Sequence, residues 1–157
     1  MKKHLLLLLC SIFFLTISCR DNNDDDDDEQ LESKSQINFQ LIGKGNLTGS
    51  YTAQQNTVIT NTTQWNNFLS QIDGQNNHPS TDFTETNIYF NQFMVIVVID
   101  AVYPNGGHSV DIMTVDENSQ NIEVDVEKLL QGNVTTVVTQ PYHIVKIPKI
   151  LKPVIFN

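Results

Sequence analysis

The chain has 157 residues, of which 39% are hydrophobic and 17% are charged, and its formal net charge at pH 7 is −9. No arginine follows Arg20, whereas nucleic acid binding needs clustered lysine and arginine to displace the counterions of the phosphates. The composition therefore argues against a nucleic acid partner, and the length allows one domain with a sizeable core.

Residues 1–18 have the pattern of a signal peptide. Lys2 and Lys3 give a positive start, and an apolar run from Leu5 to Ile17 follows. This run is shorter than the roughly 20 residues that a membrane-spanning helix needs. We therefore predict a signal peptide and not a membrane span.

The signal peptide ends at a cysteine. Residues 15–19, Leu-Thr-Ile-Ser-Cys, resemble the bacterial lipobox, in which the cysteine is retained and lipidated. The resemblance implies that Cys19 carries acyl chains, including palmitate, which together anchor the protein to a membrane. The alternative is an ordinary secretory peptide with an incidental Cys19, which would leave a reactive thiol on an exported protein. Because the other cysteine, Cys10, lies in the signal peptide, the mature domain has none for a disulfide, a thiolate zinc site or thiol catalysis.

An acidic segment at residues 19–35 follows the anchor. It contains eight carboxylates, against Arg20 and Lys34, and almost nothing apolar, a composition typical of a disordered stalk. The run resembles the export signal that sends some bacterial lipoproteins to the outer face of the outer membrane, which implies that the protein faces the cell exterior. The residues of that signal are Asp24, Asp25, Asp26, Asp27, Asp28 and Glu29. The alternative is a solvating spacer that no receptor reads.

The same segment partly matches a calcium-binding loop. Asp21, Asn23, Asp25 and Glu32 fall at ligand positions of that template, but Asp26 stands where the loop needs a glycine. We therefore do not predict a calcium site here.

Residues 36–157 should form one globular domain. Ile37, Phe39 and Leu41 alternate with polar residues, which predicts a half-buried strand ending at Gly43, and a second strand is expected over residues 51–60. The next apolar residues recur at the spacing of one face of a helix, at Trp65, Phe68, Leu69 and Ile72. This amphipathic helix should be capped by Asn61, Thr62 or Thr63 and end at Asp73-Gly74.

The second half of the domain is rich in strand patterns. Phe93 to Val102 is an apolar run in which Asp100 is the only polar residue, as expected of a central strand covered on both faces. A hairpin turn at residues 103–107, in which Gly106 and Gly107 supply positive φ, should lead to a strand over residues 108–115. A strand with one buried and one solvent-exposed face is expected at residues 122–127. The stretch 134–147 should lie at an edge or a bend because Pro141 interrupts it.

These elements predict a single α+β domain, a mostly antiparallel, meander-like sheet with one amphipathic helix packed on it. Gln140 could hydrogen-bond across the interruption that Pro141 makes.

The sequence shows no catalytic motif. The histidines of the mature chain have no metal-ligand spacing, so a metal site would have to be assembled from distant segments with carboxylates such as Asp100 or Asp111. The plainer interpretation places His78 in a loop, His108 beside a turn and His143 on a solvent-facing strand. No nucleophile motif is present, and we expect no cofactor and no enzymatic activity.

The C-terminal half resembles a known family. The stretches VIVVIDAVYPNGGHSVDIMTV, IEVDV and VVTQPYHIVKIPK are similar to the C-terminal domain of the PrcB family over about residues 83–150. The resemblance implies a non-catalytic accessory lipoprotein that helps a cell-surface protease complex assemble or persist. The exposed edge that would contact such a protein partner is formed by the turn and the late strand. Its candidate residues are Gly106, Gly107, His108, Gln140, Pro141, Tyr142 and His143.

Two other functions remain open from the sequence. The same loops could enter the active-site cleft of a protease, which would make the domain a protease inhibitor or another ligand-binding module. Less favoured is a hydrolase, whose paired carboxylates would be set by the fold and not by sequence spacing.

Overall fold

The computed structural model describes residues 34–75 and 77–157. The predicted signal peptide, Cys19 and the acidic export signal lie outside the described residues. The partial calcium-loop match lies outside them as well.

The strands divide between two sheets of four. Sheet A contains β1 (Ser35–Gln36), β5 (Asp111–Glu117), β6 (Ile122–Glu127) and β8 (Val154–Phe156), in the order β1-β5-β6-β8. Sheet B contains β2 (Gln40–Leu47), β7 (Gln140–Pro148), β4 (Phe93–Ile99) and β3 (Gln55–Ile59), in the order β2-β7-β4-β3. Neighbouring strands are antiparallel except for the parallel pair β6–β8. The helix α1 (Thr62–Ile72) and a 3₁₀ helix (Pro79–Asp82) lie between β3 and β4 in the chain.

The predicted fold class is confirmed, since the strands are mostly antiparallel and make up 41% of the structure, with 12% helical. The finer expectation of one meander-like sheet is not met, because two sheets form and the order in sheet B crosses between distant strands. Residues 103–107 accordingly are not a hairpin turn. They connect β4 of sheet B to β5 of sheet A.

β4 lies in the middle layer of the domain, as its unbroken apolar run predicted. Val95, Val97 and Ile99 point into a core shared with α1, whereas Met94 and Ile96 point into a core shared with sheet A. Successive strand residues face opposite sides of a sheet, so a strand covered on both faces has to be apolar at every position. Sheet B is therefore packed between the helix on one side and sheet A on the other.

α1 forms where its spacing predicted it. Trp65, Phe68 and Ile72 are buried against sheet B. Asn61 is the N-cap, and its Oδ1 accepts a hydrogen bond from the N–H of Gln64 at 2.9 Å, which satisfies one of the free donors of the first turn.

The first predicted strand is split in two. β1 belongs to sheet A, and the chain crosses to sheet B before β2, so that Ile37 and Phe39 pack between the sheets. β2 has a register shift between Leu41 and Gly43, continues past Gly43 and ends at Leu47. The strand expected over residues 51–60 is reduced to β3.

β7 is an interior strand, so its predicted place at an edge or a bend is wrong. It pairs with β2 on one side and β4 on the other. Pro141 faces Asp100 across the β4–β7 ladder, where its carbonyl accepts from the N–H of Asp100 at 3.0 Å. The N–H that proline lacks is replaced by the side chain of Gln140, whose Nε2 donates to the Asp100 carbonyl at 2.8 Å. The hydrogen bond expected from Gln140 is thus present, and it is what allows a proline inside the sheet.

Candidate partner-binding surface

Two loops meet where β4 ends and β7 begins. Residues 100–110 follow β4, and residues 128–139 precede β7. Tyr103 and Thr139 exchange backbone hydrogen bonds of 2.8 and 3.0 Å, and the N–H of Ser109 donates to the carbonyl of Leu130 at 3.1 Å. We call residues 102–109 and 128–139 together the loop surface.

Close backbone approach between the two loops depends on glycine. The carbonyl of Gly106 accepts from the N–H of Asn133 at 2.8 Å, and that of Gly107 accepts from the N–H of Gly132 at 3.0 Å. A Cβ on Gly106 would lie 2.5 Å from Thr135 Oγ1, and one on Gly107 would lie 2.5 Å from Asn133 Nδ2. The backbone hydrogen bonds therefore hold the loops together, and the absence of a Cβ at these two glycines leaves room for the side chains of Thr135 and Asn133.

Only one of the two glycines has the predicted backbone conformation. Gly107 has a φ of +77°, which other residues rarely adopt, whereas Gly106 is not among the residues of positive φ in the described chain. The expectation for Gly106 is wrong because its position is set by the contact with Thr135 and not by a tight turn.

His108 is held within the loop surface by its neighbours. Its ring stacks on Tyr103, with centroids 3.7 Å apart and planes at 10°, and its Nε2 lies 3.1 Å from Asn105 Oδ1. The imidazole is half-buried, so one part of it is accessible to a partner.

A buried carboxylate anchors the base of the loop surface. Asp100 is 2% exposed, and it accepts hydrogen bonds from Lys128 Nζ at 2.8 Å and from Tyr103 Oη at 2.7 Å. Burial alone would raise the pKa of Asp100, but the hydrogen bonds from Lys128 and Tyr103 outweigh it, so that its pKa is lowered. The same hydrogen bond to Asp100 raises the pKa of Lys128. Both groups are therefore charged at neutral pH.

The predicted contact residues of β7 do not form an exposed edge. Gln140, Pro141, Tyr142 and His143 are all buried, because β7 has a strand on each side and a packed layer on each face. Tyr142 packs in the core on the α1 side, 6.0 Å from Phe83 between ring centroids, and burial raises the pKa of its hydroxyl. These residues lie beneath the loop surface and are not part of the exposed surface.

His143 faces sheet A and not solvent, contrary to expectation. It is 6% exposed, and its Nδ1 accepts a hydrogen bond from the backbone N–H of Ile112 at 2.9 Å. Burial, with the nearby positive charge of Lys44, lowers the pKa of His143 to about 4, while Asp111 acts in the opposite direction. The ring is therefore neutral at physiological pH.

Asp111 belongs to the same interior region. Its carboxylate forms an ion pair with Lys44 and accepts from Ser109 Oγ at 2.5 Å. Burial would raise the pKa of Asp111, but these hydrogen bonds lower it further than burial raises it. Asp111 thus ties β2, β5 and the loop surface together.

Sequence reasoning missed the apolar side chains of the loop surface. Val134 is 100% exposed, and several of its neighbours are exposed as well. They are Val102, Leu129, Leu130, Val137 and Val138. The available signal was a set of apolar doublets, Leu129-Leu130 and Val137-Val138, that flank turn residues without strand alternation. Exposed apolar side chains gathered on one feature are typical of interaction sites.

The described residues do not assemble the candidate metal site. Within residues 34–75 and 77–157, no group of three or more His, Cys, Asp or Glu side chains is placed to hold a metal ion. His78 precedes the 3₁₀ helix, His108 lies in the loop surface and His143 is in β7. The same ranges contain no helix with the length and apolar composition needed to span a bilayer.

Comparison of the chain with known protein families, with curated proteins and with solved structures finds no match.

Proposed function

We propose that this protein is a membrane-anchored lipoprotein on the outer face of the bacterial outer membrane, and that it acts there as a non-catalytic accessory subunit that binds a protein partner. The lipobox-like sequence at Cys19 and the acidic run after it support the location. The resemblance over residues 83–150 supports a surface protease complex as the partner.

The exposed apolar side chains of the loop surface carry the binding proposal. A solvent-exposed valine or leucine gains free energy only when another surface covers it, at about 25 cal/mol per Å² of apolar area buried. Val134, Val137 and Leu130 are at least half exposed. Because the loops that present them are fixed at the base by Asp100 and by the paired backbones, little ordering would be required on binding.

The test is a pull-down from detergent-solubilised outer membrane with the full chain as bait. The variant Val134→Asp/Val137→Asp should lose the partner that the wild type recovers. Leu151→Asp is the matched control, because Leu151 is 93% exposed but lies outside the loop surface, and it should retain the partner.

Two results would contradict the proposal. One is recovery of no protein above a tag-only control. The other is equal recovery by the wild type and by the doubly substituted loop surface, with the fold of the variant verified by its thermal melting.

A protease inhibitor is the second candidate, favoured by the shape of the loop at residues 128–139. The Tyr103–Thr139 backbone pair closes its base, and Val134 is fully exposed. A loop held in this way could enter a protease cleft. Purified full-length protein should then inhibit members of a panel of serine and cysteine proteases, and Val134→Asp should abolish that inhibition.

A further inference from the structure

β3 is an edge strand of sheet B. It pairs with β4 on one side, and none of the described residues pairs with its other side. Proteins usually protect such edges with charge, proline, a bulge, a very short strand or a helix or loop that covers them. The five residues of β3, Gln-Asn-Thr-Val-Ile, include no charge and no proline, and their register with β4 is regular.

The other three edge strands of the described chain do carry such protection. β2 contains Lys44 and a register shift after Leu41. β1 is two residues long and β8 is three. Among the four edge strands of the described chain, β3 alone has neither charge, proline, a register shift nor a length of three residues or less.

The outward-facing backbone groups of β3 can be assigned from its neighbour. The N–H of Asp100 and the carbonyl of Gln92 both bond to the β7 side, and strand residues alternate in the side to which they bond. Val95, Val97 and Ile99 of β4 therefore bond toward β3. In the observed register these residues face Ile59, Thr57 and Gln55, so the outward N–H and C=O groups are those of Asn56 and Val58.

The next backbone N–H that faces away from β4, that of Thr60, already has a hydrogen-bond partner. The N–H of Thr60 donates to Gln64 Oε1 at 3.0 Å. At the other end of the strand, Gln71 Nε2 donates to Thr52 Oγ1. The free edge is thus bounded at both ends by hydrogen bonds to α1, and it has the length of a short strand.

A groove runs between this edge and α1. Its volume is about 230 Å³, and it is lined by Gln55, Thr57 and Ile59 of the strand and by Gln64, Asn67 and Phe68 of the helix, among others. Ile59 and Phe68 are largely buried, so the floor is apolar. The rim consists of amide and hydroxyl side chains, and none of the lining residues is charged.

The unpaired backbone groups and the lack of charge in the groove indicate which kind of ligand it can bind. Unpaired backbone N–H and C=O groups in a strand are satisfied best by another extended backbone. In a chain of net charge −9, an uncharged groove gives no ion pair to a charged ligand and makes it lose its hydration. The strand spacing places alternate side chains of an added strand over the apolar floor.

We propose that β3 and α1 form a docking groove for an extended, uncharged peptide segment of a partner protein, which adds to sheet B as a further strand beside β3. This site is separate from the loop surface and does not depend on the membrane anchor.

A second copy of this chain fits the groove less well. If two β3 strands paired, the side chains that each would offer on the α1 side are Gln55, Thr57 and Ile59. Ile59 is already packed in the core beneath its own helix, so it could not fill the groove of the other copy. A separate peptide has free side chains on that face.

The test uses the full-length chain in detergent and a phage-displayed library of short random peptides. Selected peptides should carry uncharged residues with apolar side chains at alternate positions. Asn56→Pro removes an outward N–H from an exposed position without touching the bonds to β4. It should weaken binding about tenfold through the lost hydrogen bond and the proline ring, whereas Asn56→Ala should bind like the wild type.

A second measurement works even if Asn56→Pro fails to fold. The best selected peptide is synthesised in two forms, N-methylated at one or the other set of alternate residues. One form should lose binding and the other should keep it, because only one set of N–H groups faces β3. On binding, the amide hydrogens of Asn56 and Val58 should become protected from exchange.

Several results would overturn the proposal. These are equal peptide binding by folded Asn56→Pro and Asn56→Ala, equal loss or retention of binding by both N-methylated forms, and enrichment of charged peptides. Sedimentation as a dimer that Asn56→Pro converts to a monomer would assign the groove to a second copy. A change in amide exchange before residue 34, caused by Asn56→Pro without peptide, would assign it to the chain's own N-terminal segment.

Discussion

The side-chain Nε2 of Gln140 donates to the backbone carbonyl of Asp100 at 2.8 Å, in the place where Pro141 has no N–H to offer. Gln140 is completely buried, and it also bonds the N–H and the carbonyl of Thr52 at 2.9 and 2.8 Å. One side chain therefore completes the β4–β7 ladder and fixes the segment before β3. The loop surface, whose second segment ends at Thr139, is directly adjacent to this point.

Gln140→Ala should lower the free energy of unfolding by about 2 to 3 kcal/mol, because it leaves buried backbone groups unsatisfied. The destabilisation should be smaller by about 1 kcal/mol when Pro141→Ala is also present, since alanine restores the missing N–H. Urea unfolding of the four chains of this double-mutant cycle measures the difference. Gln92→Ala, at an exposed glutamine, is the control and should have little effect. Full additivity of the two substitutions would contradict the assigned role of Gln140.

His143 should make stability depend on pH. Its pKa is about 4 in the folded protein, against an ordinary value of 6.5, so the unfolded chain binds a proton more readily than the folded one between these values. The contribution is fully present above pH 6.5 and is lost as the pH falls toward 4, with a size of about 3 kcal/mol. Unfolding free energies measured across this range test it.

The variant His143→Gln isolates this contribution. Glutamine can still accept the hydrogen bond from Ile112 but does not titrate, so the slope of stability against pH should decrease in the same window. An unchanged slope in His143→Gln would show that other groups cause the acid sensitivity.

Gly107→Ala should destabilise the protein more than Gly49→Ala. Both glycines have positive φ, +77° and +79°, but only Gly107 has a neighbour where a Cβ would lie, namely Asn133. We expect a loss of about 1 kcal/mol at Gly49 from the backbone conformation alone, and about 2 to 3 kcal/mol at Gly107 from conformation plus the steric conflict. Thermal melting of the two variants compares their losses of stability. Equal losses would mean that Asn133 moves away from the new Cβ at residue 107 without a cost in stability.

Cys19→Ala should abolish fatty-acid labelling and leave an uncleaved or mislocalised precursor, because the lipid is expected at that sulfur. Metabolic labelling followed by fractionation measures both effects. Cys10→Ala is the control, since Cys10 lies within the predicted signal peptide and should be dispensable for labelling. Labelling that persists in Cys19→Ala would disprove the predicted anchor.

Replacing Asp24 to Asp28 by asparagine should retain the lipid but remove the protein from the cell surface, because the predicted export signal is the negative charge itself. Protease treatment of intact cells measures surface exposure. A replacement by glutamate keeps the charge and should keep the protein exposed. Equal exposure of the asparagine and glutamate forms would make the segment a simple spacer.

The sequence alone predicted the elements whose pattern is local. The spacing of Trp65, Phe68 and Ile72 defined α1, and the apolar run of residues 93–102 placed β4 between two packed layers. These predictions succeeded because helical spacing and continuous apolarity report directly on which faces are buried. The lipid anchor and the export signal also come from the sequence, and they remain predictions.

The tertiary structure decided what depends on partners distant in the chain. Pro141 indicated an edge strand, but the Gln140 side chain replaces its missing donor and makes β7 an interior strand. The sequence placed His143 on a solvent-facing strand, but sheet A covers it. The exposed valines of residues 128–139 belong to one surface with residues 102–109 only because the backbones of the two loops pair. Neither the second sheet nor the free edge of β3 has a local signature, because strand pairing is fixed by contacts between residues far apart in sequence.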